Sequence, residues 1–489
     1  MLDEKKKTYL LIFLITLFRL IYINLVPLVP QEAYYWKYAK HPALSYFDHP
    51  PMAAWMIALF TWIGGDSLFF IRLGSVLYSA GLMLLVHQIA WRLFRDEKLA
   101  FWSVAVINCT VLFSIGATVI TPDVPLLFFW ALMTFSLVRL IESDHPGWWY
   151  LAGVALGLGL LSKYSAILIV PGIFIFLLLS PKHRRWLATV HPYAAVVVAL
   201  IVFSPVVIWN FQHDWASFMF QSSDRFAQMK RLRLDFLFQL IGSQLGMLTP
   251  YVFFLLVTGW AAIGVWSIKE KNQPYSLLFW IALPVYAVFT LSSLRSLVKM
   301  NWLAPAYVTS VIAGLVWLNA NRSSISRWFD KLFVPGIVLG LLIVVFMHVV
   351  PIIPIAPLKK GDTWSGWKEL GQRIERLKTD RGEDVFVFGH EYKAPSEITY
   401  YTASHLPTHA GEIFGANGLQ YNYWTDTAKL IGRDAIFVTS DADRFTNFKK
   451  LNKHFESIAP LDTLEIVHRN RTYRAFYFYL CSDYKGPKP

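Results

Sequence analysis

Two cysteines in 489 residues leave little for thiol chemistry. Cys109 lies in an apolar run and Cys481 near the end of the sequence, which argues against a disulfide, and no cysteine-based metal motif is present. The thirteen histidines show no metal-ligand spacing. No short-period repeat is apparent, which excludes the common solenoids. Charge is also scarce: 16% of residues are Asp, Glu, Lys or Arg while 55% are hydrophobic, far from the composition of a soluble domain. In place of polar surface the chain has recurring apolar runs of about 20 residues, each able to cross a bilayer core about 30 Å thick. These features predict a polytopic α-helical membrane protein. Lys5-Lys6-Lys7 followed by an apolar run has the outline of a signal peptide. Thr8–Val29 is long for one, however, and no small-residue cleavage pattern precedes Glu32, so a retained helix is expected. The net charge of +13 raises the question of nucleic acid. Much of the excess sits in short loops between spans, where positive charge sets topology; nucleic acid is excluded as a partner, and membrane lipid is expected around the spans.

Candidate spans cover 8–29, 68–94, 99–118, 122–141, 147–162, 165–180, 188–209, 244–268, 275–294, 300–319 and 332–353, about eleven transmembrane helices. With the lysine-rich N-terminus inside, the inner loops carry Arg92, Arg95 and Lys98, then Arg139, then Lys182, Arg184 and Arg185, then Lys269 and Lys271, then Arg322, Arg327 and Lys331. Met52–Gly65 is short for a span, and counting it as one would invert every later loop. It reads as an amphipathic or half-inserted helix on the outer face, making 31–66 one outer loop. After Pro351, Pro354 and Pro357 the composition turns polar. Alternating runs at Asp384–Gly389, Ala435–Thr439, Leu464–His468 and Ala475–Leu480, with helical patterns at Trp367–Lys378 and Tyr421–Leu430, predict a small soluble α/β domain. The expected organisation is a multi-helix membrane domain over 1–355 and an extracytoplasmic α/β domain over 356–489, which charge parity places outside.

The outer face collects the unusual polar residues. Gln31–Pro51 holds Glu32, Asp48 and His49 among Tyr34, Tyr35, Trp36, Tyr46 and Phe47, more than a simple connector needs. Thr121-Pro122-Asp123, Ser162-Lys163-Tyr164, the loop 210–240 and the stretch from Arg295 to Asn301 join it by parity. Outside a bacterial inner membrane there is no nucleotide supply, and group transfer there commonly uses lipid-linked donors. Such chemistry needs carboxylates to deprotonate or orient an acceptor, available as Glu32, Asp48 and Asp123. It needs cations where charge develops on a departing lipid phosphate, available as His49, Lys163, Arg295 and Lys299. Tyr34 and Tyr35 could stack on a sugar. Each group also has a purely structural reading. Glu32 pairs with Lys37 or Arg72; Asp123 complements a helix N-terminus; His49 is an interfacial histidine; Lys163 snorkels from a Gly-rich span; Arg295 and Lys299 anchor helix ends. Gly153, Gly157 and Gly159 read as close helix packing rather than chemistry. The residues require no cofactor, and a divalent metal held by Asp48, His49 and a distant ligand stays open.

Glu32-Ala33-Tyr34-Tyr35-Trp36 followed by Tyr46-Phe47-Asp48-His49-Pro50-Pro51 resembles the first outer loop of bacterial family 39 glycosyltransferases. These are relatives of protein O-mannosyltransferases and of the lipid A aminoarabinose transferase, with the GT-C membrane fold. Thr121-Pro122-Asp123-Val124-Pro125, Gly159-Leu160-Leu161-Ser162-Lys163-Tyr164 and Asn301-Trp302-Leu303-Ala304-Pro305-Ala306-Tyr307 fit the same order. The resemblance covers about 1–310 well and the C-terminal domain loosely, through Ala394–Tyr401. It implies transfer of a sugar from a polyprenyl-phosphate donor, with inversion, to lipid A, a glycan or a protein. By similarity Asp48-His49 match the acidic-basic pair before the two prolines, whose basic member contacts the donor phosphate. Asp123 matches the second acidic position. Lys163, Arg295 and Lys299 match as lipid-phosphate contacts, and Asn301 as a sugar or acceptor contact. The family's Asp-Glu pair stands here as Gln31-Glu32. Gln is no base, so the role of that Asp cannot be copied to position 31. An ionised phosphate acceptor would need only orientation, whereas a hydroxyl would benefit from a base. The expected location is the bacterial inner membrane, multi-pass, with the N-terminus cytoplasmic and the C-terminal domain periplasmic. Two other readings stand beside this one. A lipid-linked sugar flippase would carry paired charges along a path through its spans, where this chain shows only Arg19 and Arg72. A binding protein that has lost catalysis would explain Gln31.

Overall fold

A computed structural model gives the architecture; it describes residues 3–222, 232–320, 323–353, 363–382, 384–441 and 445–487. The prolines at 354 and 357, the expected boundary at 355/356, Arg322 and part of the loop 210–240 lie outside the described residues. The chain divides into two compact units. One comprises Met1–Ile23, His49–Met56 and Phe69–His348; the other comprises Asn24–Asp48, Ile57–Leu68 and Val349–Pro489.

The first unit is helical, and each of the eleven expected spans overlaps helix, although the helix within 8–29 ends at Tyr22 and 244–268 is divided at Thr249 between Leu234–Leu248 and Pro250–Glu270. Among the described residues, five helices are long and apolar enough to cross a membrane, Leu68–Phe94, Asp123–Ser143, His191–Gln212, Pro250–Glu270 and Gln273–Ser293. The bent pair Ser324–Lys331 and Phe333–Val349 makes a sixth if it is one span. Shorter apolar helices include Gly147–Ser162, Tyr164–Leu179, Leu234–Leu248 and Ala304–Ala320. The protein is therefore a multi-pass membrane protein. Ala304–Ala320 is buried from Ala304 to Leu318, because its sequence is apolar or small on every side. Gly259 and Gly314 let Pro250–Glu270 meet it backbone to backbone: a Cβ on Gly259 would lie 2.4 Å from the Gly314 Cα. The Gly-rich helix Gly147–Ser162 packs the same way, since a Cβ on Gly153 would lie 2.4 Å from the Ala195 carbonyl oxygen of the helix His191–Gln212. The span expected over 99–118 is broken into Glu97–Asn108 and Val111–Ser114. Arg19, buried on Glu4–Tyr22, bonds across that break. It donates to Asn108 Oδ1 at 2.8 Å, to the Phe113 carbonyl at 3.3 Å and to Ser79 Oγ at 2.6 Å. A charged group at membrane depth thus satisfies backbone and side-chain groups freed by the break.

The second unit holds a five-stranded sheet. Its strands are β1 (Phe386–Gly389), β2 (Thr408–His409), β3 (Ala435–Ser440), β4 (Phe455–His468) and β5 (Arg471–Tyr484), in the order β2-β1-β3-β5-β4. β2, β1 and β3 run parallel; β5 is antiparallel to β3 and to β4. Alternation along β1 and β3 sends Phe386, Phe388 and Phe437 to a core with Ile413, Leu430 and Phe455. It sends Val387, Ile436 and Val438 to the other face, against Trp367, Leu370 and Ile374 of helix Trp367–Arg381. Tyr421–Leu430 forms two short turns of helix rather than one helix, because the chain extends at Thr425 between them. Two further helices of this unit come from the segment expected as the outer loop, Pro30–Lys40 and, in its C-terminal half, Met52–Gly64. The second is helical over nearly the whole of the segment expected as a half-inserted helix.

Candidate functional site

Helix Asp123–Ser143 begins on Asp123, where a carboxylate meets the N–H end of the helix favourably. A three-residue turn, 144–146, sends the chain back antiparallel along Gly147–Ser162, so Lys163 emerges beside the start of the first helix. Lys163 Nζ donates to Asp123 Oδ1 at 2.7 Å. Asn301, in the turn leading into Ala304–Ala320, donates its Nδ2 to Asp123 Oδ2 at 2.6 Å. Three separate motifs therefore meet on one carboxylate inside the first unit. The Lys163 and Asp123 side chains are 18% and 15% exposed, partly desolvated yet reachable from outside. An ammonium has three N–H donors, so Lys163 keeps two beyond the bond to Asp123. Arg295 and Lys299 are exposed on the segment running into Asn301, and His49 is half-buried.

The second unit gives the other carboxylates a different setting. Pro30–Lys40 starts on proline, and Glu32, completely buried, accepts the Val29 N–H at 3.1 Å through Oε2. Lys37 donates instead to Thr408. Tyr34 and Tyr38, one helical turn apart, both donate to Asp48 Oδ1, Tyr34 at 3.1 Å and Tyr38 more closely. The Tyr34 hydroxyl accepts the Gln420 N–H at 3.0 Å, and Gln420 Oε1 accepts the Phe47 N–H at 2.7 Å. Burial first, and the Asp48 carboxylate second, push both phenols well above the usual tyrosine range, so they stay protonated donors. The Tyr34 ring stacks on Tyr421 with centroids 6.1 Å apart, and Tyr35 packs edge-on to Tyr38 at 5.8 Å. These aromatic contacts are the surroundings in which the structure places the two expected sugar-stacking tyrosines. Gln31, in contrast, is exposed.

A second buried group was not singled out by the sequence. Lys37 Nζ donates to the Thr408 carbonyl at 3.0 Å and to its hydroxyl at 3.3 Å, and lies 4.2 Å from the Tyr421 ring centroid. Burial brings its pKa down to about 7, with the Glu412 carboxylate pulling the other way. His409 is brought down to about 3, by burial and then by Lys37. Burial raises Glu412, which accepts from the Ala410 N–H and the Thr425 hydroxyl. The signal for Lys37 was its place between Trp36 and Tyr38 on a helix with almost no exposed face. Gln420 carries no local signal. Among the described residues, no group of three or more His, Cys, Asp and Glu side chains gathers as a metal site would require.

Residues 48–209 match the family model described as dolichyl-phosphate-mannose-protein mannosyltransferase. The chain is 27% identical over 385 residues to the lipid A galacturonosyltransferase RgtD of Rhizobium johnstonii, a match covering 76% of this chain and 78% of that one. The chain is a glycosyltransferase similar to the family 39 enzymes, and it has the GT-C fold. The glycosyltransferase is also 24% identical over 253 residues to the undecaprenyl phosphate-alpha-4-amino-4-deoxy-L-arabinose arabinosyl transferase of Serratia proteamaculans; that match spans 50% of this chain and 45% of the relative. Its fold matches that of ArnT from Cupriavidus metallidurans in the apo state, with a TM-score of 0.65 at 14% identity over 97% of this chain and 98% of that one. The same protein bound to undecaprenyl phosphate gives a TM-score of 0.64 at 13% identity, over 96% of this chain and 97% of that one.

Proposed function

We propose that this glycosyltransferase moves a sugar from a polyprenyl-phosphate donor to lipid A on the periplasmic side of a bacterial inner membrane, its N-terminus in the cytoplasm. The observation that carries the reading is the convergence of Lys163 and Asn301 on Asp123. In the reaction the bond from the anomeric carbon to the donor phosphate oxygen breaks, while an acceptor oxygen bonds from the opposite face, which inverts the centre. The electron pair leaves with the lipid phosphate; the proton of a hydroxyl acceptor passes to a departing phosphate oxygen, and an ionised phosphate acceptor has none to give. Lys163 supplies positive charge where the phosphate gains negative charge, with two N–H donors aimed by the bond to Asp123. Arg295 and Lys299 add cations for the same phosphate, His49 adds a ring N–H donor, and Asn301 orients the sugar. Asp123, held by an ammonium and an amide, positions Lys163 rather than taking a proton. Glu32 and Asp48 shape the loop that ends at His49. The residues require no cofactor, and transfer in EDTA tests whether a divalent metal takes part. The breadth of the RgtD match, against 45% of the aminoarabinose transferase, favours a galacturonic-acid donor.

Mass spectrometry of lipid A from cells with and without the protein tests the reading. The expected result is a hexuronic acid increment that depends on the protein and is lost in Lys163→Ala. An unchanged lipid A alongside altered protein glycans would overturn the acceptor. Movement of lipid-linked sugar across the membrane with no glycosylated product would overturn the enzyme in favour of a flippase.

A further inference from the structure

Helix Leu234–Leu248 buries only a narrow stripe, Leu240, Gln244 and Leu248, one residue per turn. An apolar side chain would fill the middle of that stripe without cost, whereas an amide there must find partners. Gln244 is 1% exposed and finds three. Its Nε2 donates to the Met300 carbonyl at 3.0 Å and to the Ser243 hydroxyl at 3.1 Å, and its Oε1 accepts the Tyr307 O–H at 2.8 Å. Gln244, Met300 and Tyr307 belong to the first unit, as do Asp123 and Lys163.

The Met300 carbonyl is the middle one of three in the turn that carries Asn301. The Trp302 N–H donates to the Lys299 carbonyl at 3.1 Å, and the Ala304 N–H to the Asn301 carbonyl at 3.2 Å. The turn's own backbone serves the carbonyls on either side, and Gln244 serves the one between them. That carbonyl lies in the planar Met300–Asn301 peptide, which ends on the Asn301 Cα. Fixing it fixes the base from which the Asn301 side chain reaches Asp123 Oδ2 at 2.6 Å. Tyr307 decides which end of the Gln244 amide faces the turn, because a phenol O–H on Oε1 leaves the NH₂ group for Met300. Tyr307 is itself completely buried, and its ring packs edge-on to Tyr286 with centroids 6.0 Å apart. Tyr286 in turn shares a hydrogen bond with the Ser310 hydroxyl at 2.9 Å.

We propose that Gln244, aimed by Tyr307, is a positioning residue that holds the Met300–Asn301 peptide so that the Asn301 amide meets Asp123. Through that contact it also steadies the carboxylate that aims Lys163. Gln244 acts through Asn301, not on the sugar or the phosphate. The inference rests on the roles given above to Asp123, Lys163 and Asn301.

The experiment measures transfer from undecaprenyl-phosphate-linked galacturonic acid to lipid A by the full-length protein in nanodiscs, with amide hydrogen exchange and melting temperature read on the same samples. Gln244→Met keeps the length of the side chain and removes the donor to Met300. It is expected to lower kcat about three- to tenfold, the scale of one hydrogen bond, and to speed exchange of the Trp302 and Ala304 amides. Tyr307→Phe should move both in the same direction and by less, because the amide keeps its bond to Met300. In an Asn301→Ala background, Gln244→Met should cost less than about twofold more, since a residue acting through Asn301 has nothing left to aim. Leu240→Ala, one turn away on the same stripe, separates positioning from stability: it should lower the melting temperature and keep kcat within about twofold of wild type. An equal loss of kcat from Gln244→Met with and without Asn301 makes Gln244 a packing residue and overturns the inference. A loss in Leu240→Ala as large as in Gln244→Met does the same, and so does unchanged exchange at Trp302 and Ala304 in Gln244→Met. A wild type that transfers nothing overturns the function proposed above, and the exchange readout still decides whether Gln244 holds the turn.

Discussion

Asp123 and Asp48 are both aspartates within two residues of a proline, and the protein treats them differently. Asp123 is held by a cation and an amide, one on each oxygen, with its side chain still partly exposed. Asp48 is held on one oxygen by two neutral phenols and is nearly sealed. A carboxylate paired with an ammonium tunes and aims a charge. One bound by phenols fixes a shape. In the proposed reaction Asp123 handles charge and Asp48 shapes its loop, although the two look equivalent in the sequence.

The largest test strikes the charged member. Lys163→Ala should lower kcat about 10²- to 10³-fold, as loss of a transition-state donor does, with little change in melting temperature. Lys163→Arg should keep part of the rate. Asp123→Asn should cost less than Lys163→Ala, because the amide still offers an oxygen to aim Lys163. If Asp123→Asn abolishes transfer outright while Lys163→Ala does not, Asp123 is the base and the comparison is broken.

The next test strikes the architectural member. Asp48→Ala strands two buried hydroxyls and should destabilise the second unit by about 2–3 kcal/mol, read from chemical unfolding. Asp48→Asn keeps an acceptor and should cost about 1 kcal/mol or less. Equal stability losses for Asp48→Ala and Asp48→Asn would show that charge, not shape, matters there.

The smallest effect is a pH dependence. Folding lowers the Lys37 pKa from 10.5 to about 7, so between those values the unfolded chain binds a proton that the folded one does not. Stability therefore rises with pH across that window. Above about pH 9 the buried phenols act in reverse, since their raised values make the unfolded state lose protons first. His409 and Glu412 titrate at lower pH, with opposite signs. From pH 7 to 9 the second unit should gain at most about 2 kcal/mol, and Lys37→Met should flatten the slope. Limited proteolysis across this range reads both; an equal slope in Lys37→Met would remove Lys37 as its source.

The sequence made the membrane helices legible because apolar length and loop charge act locally. The types of residue on Asp123, Lys163 and Asn301 were legible too, but not that they share one carboxylate, since that depends on helix returns across the whole first unit. Pro30–Lys40 looked like loop because its mean polarity is high. It is helical because partners far along the chain bury it, among them Thr408 and Gln420. Glu32 stood out as a candidate base, and the reason it caps the helix was hidden: a Val29 start lacks the usual Ser, Thr or Asp signature. The two-residue β2 is too short to leave a pattern.

The bond from Lys37 to Thr408 joins residues 371 apart. At typical synthesis rates of 5–20 residues per second, roughly 20–75 s separate the appearance of these two ends. During that interval Tyr34 and Trp36 lack their later partners, Gln420 and Tyr421 for the first and Tyr400 for the second. Newly made chains are thus exposed to misassembly at the segment around Pro30–Lys40 until their last third arrives. A truncation ahead of Tyr421 would leave that vulnerability permanent, making quality control of the nascent protein depend on its C-terminal end.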